Sequence, residues 1–290
     1  MRQLFIFGLG FSAQEIVKQA HGDFGRICGT SRSAEKAKSF SDFGVEGFLF
    51  DGESVDGKLR EALFETTHLV ISIAPGDIDP VLKAIGADLG TVCPKLEWIG
   101  YLSTVGVYGD HDGAWVTENT EPRPVSKRSI ERIRAERQWQ EAGLGLDVPI
   151  AIFRLSGIYG PGRNGIVNMK KGKARRLVKP DQVFNRIHRE DIGQAVMLAM
   201  RNKVDGIFNI TDDEPAPPQD VVTYIHELAG VEPPPEIDFE TAELSPMTRS
   251  FYGENKRVSN QRSKEVLGMT YHWPNYRVAF DRMWRDGSWE

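Results

Sequence analysis

Cysteine, long apolar runs and surplus basic charge are all scarce in this sequence, and each scarcity removes a class of protein. Only two cysteines occur in 290 residues, Cys28 and Cys93. They form no metal or redox spacing and sit in apolar surroundings, so buried free thiols of a cytoplasmic protein are expected. No apolar run approaches the roughly 20 residues that cross a bilayer. The first apolar run is cut by Gly8 and Gly10 and followed by Gln14, Glu15 and Lys18, so no signal peptide is expected. A formal charge of −5 and a pI near 5.8 exclude a broad electrostatic grip on nucleic acid. The six histidines show no metal-ligand spacing, and His226-Glu227 lacks a second histidine, so no metal site is expected. There is no Gly-x-Ser-x-Gly elbow of a serine hydrolase, no internal repeat and no low-complexity segment.

What is present, 40% hydrophobic and 27% charged residues, is the composition of a soluble globular chain long enough for a large α/β domain. Its most informative stretch comes first. Leu4 to Phe7 is a short apolar run that breaks into Gly8-Leu9-Gly10-Phe11-Ser12-Ala13, and a helical pattern follows at once. Strand, glycine turn and helix in that order are what a dinucleotide pyrophosphate requires. Gly8 permits the tight turn, Gly10 lets the phosphates approach the backbone, and Ala13 lets helix and strand pack closely. Free N–H groups near Phe11 and Ser12 then face the anion at the positive end of the helix dipole.

Arg26 to Thr30 reads as a second strand, ending in Ser31-Arg32-Ser33. In a dinucleotide-binding fold an acid at this place accepts from the ribose 2′-OH of NAD, whereas an arginine accommodates the 2′-phosphate of NADP. No acid ends this strand. Ser31 and Arg32 supply donors and charge, so NADP is expected ahead of NAD, although Ser33 with Glu35 also reads as a plain helix cap. Gly47 to Phe50 is a third strand with Asp51 at its tip beside the adenine; His68 to Ala74 is a fourth, apolar throughout and ending in Ala74-Pro75-Gly76. A helix over 78–89 and a fifth strand over 96–103 follow. Strands alternating with helices predict an α/β fold with a Rossmann-type, doubly wound parallel sheet.

The middle of the chain carries a family likeness. Leu102-Ser103-Thr104-Val105-Gly106-Val107-Tyr108-Gly109 is followed by Glu118-Asn119, a charged helix from about 126 to 142, Phe153 to Arg163, Asn185 to Ile192, and Phe208-Asn209-Ile210-Thr211. In this order the segments resemble the NAD(P)-dependent epimerase/dehydratase group, the extended and atypical branches of the short-chain dehydrogenase/reductase superfamily. The resemblance implies a dinucleotide-binding domain over 1–160 that also receives segments near 185–212. A smaller, interleaved substrate-binding part over 161–290 is implied with it. It further implies Ser103, Ala74 and Pro75 near the cofactor, Arg163, Arg186 and His188 near the substrate, and a homodimer.

Two departures bear on chemistry. The family's glycine turn has glycine where Phe7 and Ala13 stand. Its Ser/Thr with Tyr-x-x-x-Lys maps onto Thr104, Arg128 and Arg132, measured from Tyr108-Gly109 and from Ala135-Glu136. Positions i and i+4 share a helix face, so both arginines are expected to point where the Tyr and Lys would. A guanidinium is a poor proton shuttle but matches carboxylate or phosphate well. The expected function is an NADP-binding oxidoreductase or epimerase/dehydratase-like protein acting on a small anionic molecule. The alternative is a non-catalytic NADP-binding sensor or scaffold, with Arg128 and Arg132 on a solvated face of mixed charge.

Overall fold

The computed structural model describes residues 1–55 and 57–290. Its centre is a seven-stranded, all-parallel sheet built from β1 (Gln3–Phe7), β2 (Arg26–Ser31), β3 (Glu46–Leu49), β4 (His68–Ile71), β5 (Trp98–Thr104), β7 (Ile150–Leu155) and β11 (Gly206–Ile210). The remaining strands are short: β6 (Trp115–Val116), β8 (Gly157–Tyr159), β9 (Arg176–Val178), β10 (Arg186–His188), β12 (Glu236–Asp238) and β13 (Arg257–Val258). The sheet order is β11-β7-β5-β4-β1-β2-β3. The order reverses between β1 and β4, and the registers Phe7↔Ile71, Ile71↔Tyr101 and Tyr101↔Ile152 align the carboxyl ends of four strands along one edge. That edge, at a reversal of strand order, is where ligands bind in doubly wound sheets.

Both faces of the sheet are covered. Helices α1 (Phe11–Ala20), α8 (Arg189–Arg201) and α11 (Gln261–Leu267) pack on one side through Ala13, Ile16, Ile192, Val196 and Leu267. Helices α3 (Gly57–Phe64), α4 (Pro80–Ile85), α5 (Leu89–Val92) and α6 (Lys127–Leu146) pack on the other through Leu59, Val81, Val92 and Trp139. Burial on both sides explains why β1, β4 and β7 are continuous apolar runs rather than alternating ones. The helix α2 (Ala34–Ser39) is capped by Ser33, whose hydroxyl accepts from the Lys36 amide. Cys28 and Cys93 are buried free thiols, and burial pushes both up to about 12.

Two elements read from the sequence differ in extent: the fourth strand, expected to reach Ala74, ends at Ile71, and the helix after it is divided. The helix expected over 78–89 is two helices, α4 and α5, separated by a 3-10 turn over Gly86–Asp88. Asp79 accepts from the Val81 and Leu82 amides and Pro80 takes the first helical position, which starts α4 two residues late. Past the sheet, α7 (Gly165–Lys170), α9 (Pro218–Leu228) and α12 (Tyr276–Asp286) gather around Ile166, Val221, Ile225 and Phe280. A short helix, α10 (Pro246–Tyr252), joins Tyr252 to Leu177 and Phe239 in a separate small cluster. Among the described residues no helix is long and apolar enough to cross a membrane.

Candidate active site

The glycine turn between β1 and α1 is built for a close ligand. Gly8 has φ +88°, where a side chain is strained, and a Cβ there would collide with Ile73 Cγ2. Its amide donates to Thr30 Oγ1 at 2.9 Å, which ties the turn to β2. Gly10 is different: its φ is −102°, and a Cβ would meet no atom within 4 Å. The space above Gly10 is therefore open to a ligand, not filled by protein. No side chain caps α1, so the first amides of the helix, at Phe11, Ser12 and Ala13, have no cap acceptor. An open cradle with uncapped amides at a helix start fits a dinucleotide pyrophosphate. Two guanidinium groups bracket it, with Arg163 Cζ 5.7 Å and Arg189 Cζ 4.9 Å from the centre of the Phe11 ring.

At the end of β2, Ser31 Oγ accepts from the Ser33 amide, and Arg32 is exposed with no ion pair among the described residues. Asp51 is exposed beyond β3. Its carboxylate accepts from the Glu53 amide at 2.9 Å, and such backbone donors hold it below the usual range.

A cavity of about 770 Å³ opens at the carboxyl ends of β4, β5 and β7. Its wall brings together Ala74, Pro75, Thr104, Arg128, Arg132, Arg163 and Arg186, from five stretches of sequence. Thr104 Oγ1 accepts from the Gly106 amide at 3.1 Å, which leaves its proton for a ligand. Ser126 caps α6 and donates to Ser129 Oγ at 2.9 Å, so the Ser129 proton is also uncommitted. A Cβ placed on Gly106 would lie 3.1 Å from Ser129 Oγ and 3.4 Å from Thr104 Oγ1. The two hydroxyls thus border one small volume in the wall.

The arginines differ in how they are held. Arg132 is half-buried and donates to the Leu102 carbonyl at 2.6 Å and to Tyr101 Oη at 3.2 Å, which pins it to β5. Arg128 is exposed and rests over the Phe251 ring at 5.3 Å, with no hydrogen bond among the described residues. Arg186 Nη1 donates to the carbonyls of Phe184 and Ala216, and burial lowers its pKa. Lys256, also in the wall, donates to the Gly109 carbonyl at 2.7 Å and to Glu254 at 2.6 Å. Glu131 and Glu254 are the acids of the lining, against four arginines and a lysine, so the cavity carries net positive charge.

Ser103 and His188 stand apart from this group. Ser103 is buried and donates to Glu136, which pairs with Arg154 Nη2 at 2.7 Å; Arg154 in turn donates to Tyr108 Oη at 3.0 Å. This buried network braces the end of β5 from behind. His188 is fully buried, stacked on Trp273 with ring centres 4.2 Å apart. Its Nδ1 accepts from the Glu190 amide as the cap of α8, and burial pulls its pKa down to about 3. It serves a helix start, and its ring lies outside the cavity lining. The basic run 170–176 also lies outside it, with Lys170 over Trp284 and Arg176 paired to Glu236.

The sequence reading passed over Ser129, Glu131, Phe251 and Tyr252. Spacing held the signal for the first: Ser129, Arg132 and Glu136 recur at i, i+3 and i+7, one stripe of α6, and all three meet β5 or the turn after it.

A parallel sheet of this order, with a glycine cradle at one end of its carboxyl edge and a cationic cavity beside it, defines a Rossmann-type fold. The model of the NAD dependent epimerase/dehydratase family matches residues 89–211 of the chain. It is 44% identical to a functionally unknown conserved protein from Silicibacter pomeroyi DSS, over 99% of each chain, with a TM-score of 0.89. The fold is shared with UDP-glucuronic acid 4-epimerase from Bacillus cereus, solved in complex with NAD, at 16% identity over 96% of each chain and a TM-score of 0.74. A curated relative, 3-diazoavenalumate denitrifying reductase from Streptomyces sp, is 25% identical over 162 residues, 52% of either protein, so the chain spans about half the length of that relative.

Proposed function

We propose that the protein is an NADP-dependent oxidoreductase that acts on a small anionic molecule in the cavity beside Gly10. The observation that carries this reading is that Thr104, Arg128, Arg132 and Arg163 share one cavity, while Arg163 also overlies Phe11 at the cofactor cradle. The family and a curated relative named as a reductase support the reaction class. Arg32, exposed and unpaired among the described residues at the end of β2, supports NADP over NAD. When bound, the nicotinamide would supply or accept a hydride. The Thr104 and Ser129 hydroxyls would hold the substrate oxygen and donate to it. Ser126, hydrogen-bonded to Ser129, would orient that donor. Arg128, exposed in the cavity wall, would draw an anionic substrate in, and Arg132, fixed on β5, would add positive charge where negative charge develops.

The test is oxidation of NADPH across carboxylated and phosphorylated carbonyl compounds. Arg128→Ala is expected to raise KM about three- to tenfold with little change in kcat, the loss of one nearby attractive charge. Thr104→Val is expected to lower kcat about a hundredfold. The second reading, a non-catalytic NADP-binding sensor, is favoured by the two arginines at the Tyr and Lys positions. It predicts that NADPH binds but is not oxidised by any member of the panel.

A further inference from the structure

Taking the cavity as the substrate site, we infer that its ligand is a carboxylate carried on an apolar, aromatic-sized body, seated on Arg186 and Tyr252. The inference rests on which donors the wall leaves free. A sugar ring or a pyrimidine base needs several neutral hydrogen-bonding side chains. Besides the free hydroxyls of Thr104 and Ser129 and the unpartnered Tyr159 Oη, the neutral side chains are committed to the protein: Asn185 donates to the Lys256 carbonyl and accepts from the Val258 amide, Ser156 donates to the Ile210 carbonyl, and Ser250 donates to the Met247 carbonyl. What surrounds them is apolar, with Phe184, Phe251, Phe280, Val183, Val221 and Val222 in the lining.

Arg186 is the exception in that apolar wall. Its Nη1 is fixed by two carbonyls, while Nε and Nη2 meet no protein acceptor among the described residues, which leaves one edge of the fork free. No carboxylate lies within 4 Å of the guanidinium among the described residues. Asp212 is the nearby acid, its pKa raised by burial, and it forms no ion pair with Arg186 among the described residues. Tyr252 lines the same cavity and adds a phenol donor to its wall. A half-buried guanidinium without an acid partner is stabilised by an anion that arrives with the ligand. One fork and one phenol match the planar, two-oxygen geometry of one carboxylate.

The experiment is calorimetric titration of the full chain, with and without saturating NADP, using benzoate, cinnamate, cinnamamide and UDP-glucuronate as probes. Cinnamate is expected to bind at least about tenfold more tightly than the neutral, isosteric cinnamamide and than UDP-glucuronate. Arg186→Gln is expected to erase the preference of cinnamate over cinnamamide. Because Arg186 also ties two carbonyls, Phe251→Ala is the companion variant: exposed and on a short helix, it is expected to weaken cinnamate and cinnamamide by the same factor while the fold stays intact. UDP-glucuronate binding as tightly as cinnamate, failure of both benzoate and cinnamate to bind, or an unchanged preference in folded Arg186→Gln would each overturn the inference. Failure of NADP to bind would instead count against the cofactor reading, since the probes also report on the protein without it.

Discussion

The Glu136–Arg154 pair offers the sharpest test of what holds the end of β5 in place. Both side chains are almost fully buried, with 1% and 3% exposure, and Arg154 donates to Glu136 through Nε and Nη2. Replacing Glu136 with Leu keeps the volume but leaves a buried guanidinium without its counter-charge. Breaking one partner of such a pair costs about 3–5 kcal/mol, because the remaining charge cannot be solvated. Unfolding entropy is about 2.1 cal/mol/K per residue, or about 0.6 kcal/mol/K for 290 residues, so Tm should fall by about 5–8 °C. The companion variant Glu136→Leu/Arg154→Met removes both charges. Tyr108 Oη still donates to Asn209 Oδ1 at 2.7 Å, and only the Ser103 hydroxyl loses its acceptor. The double variant should therefore recover to within about 1–2 kcal/mol of the unmodified protein. Urea unfolding followed by tryptophan fluorescence reads the cycle, since Trp98 and Trp139 are fully buried. A single variant within 1 kcal/mol of the unmodified protein, as an order of magnitude, or a double variant no more stable than the single (roughly equal midpoints), would refute the reasoning.

Three further outcomes follow from the site. Gly10→Val should fold normally, because the added atoms meet open space at an ordinary φ, yet lose dinucleotide binding in a calorimetric titration; unchanged affinity would place the cofactor elsewhere. NADPH should bind about ten- to hundredfold more tightly than NADH, and Arg32→Ala should bring the two affinities together. Equal binding by the unmodified protein would remove the 2′-phosphate role of Arg32. His188, held near 3 by burial, stays neutral in the native state while the unfolded chain takes up a proton below about pH 6.5. The unfolded state then binds more protons, so this group makes stability fall as pH drops from 6.5 toward 3. His188→Asn, which can still cap α8, should show a shallower acid-side loss in urea midpoints measured between pH 6.5 and 4.5; identical slopes would contradict the assignment.

What could be read from the sequence was whatever local chain geometry determines. The strand–glycine–helix order at residues 4–13 and the apolar runs of β4, β5 and β7 are one-dimensional signals, and they place the sheet and the cradle. The two-strand ladders β6–β13, β8–β10 and β9–β12 were invisible, because segments of two or three residues carry no period. The helix α10 was missed despite a readable start, Ser245 accepting from the Thr248 amide with Pro246 at the first position. That omission hid Phe251 and Tyr252, and with them the far wall of the cavity.

The case of α6 is more instructive. Its charged sequence reads as a solvated surface, and matching it to a family template isolates Arg128 and Arg132 alone. Yet Ser129 and Glu136 are buried, and Arg132 is pinned to β5. A helix that packs on a sheet ordinarily turns an apolar stripe inward. Here the first turns carry Ser129, Arg132 and Glu136 at i, i+3 and i+7, where Arg132 and Glu136 bond Leu102 and Ser103 of β5 and Ser129 borders the turn after it, before Ala135 and Trp139 supply the apolar contact. Burying polar groups costs free energy unless every one is matched. A polar stripe at helical spacing, on a helix expected to cover a sheet, therefore marks where that helix meets the carboxyl edge of the sheet through polar contacts, beside the cavity.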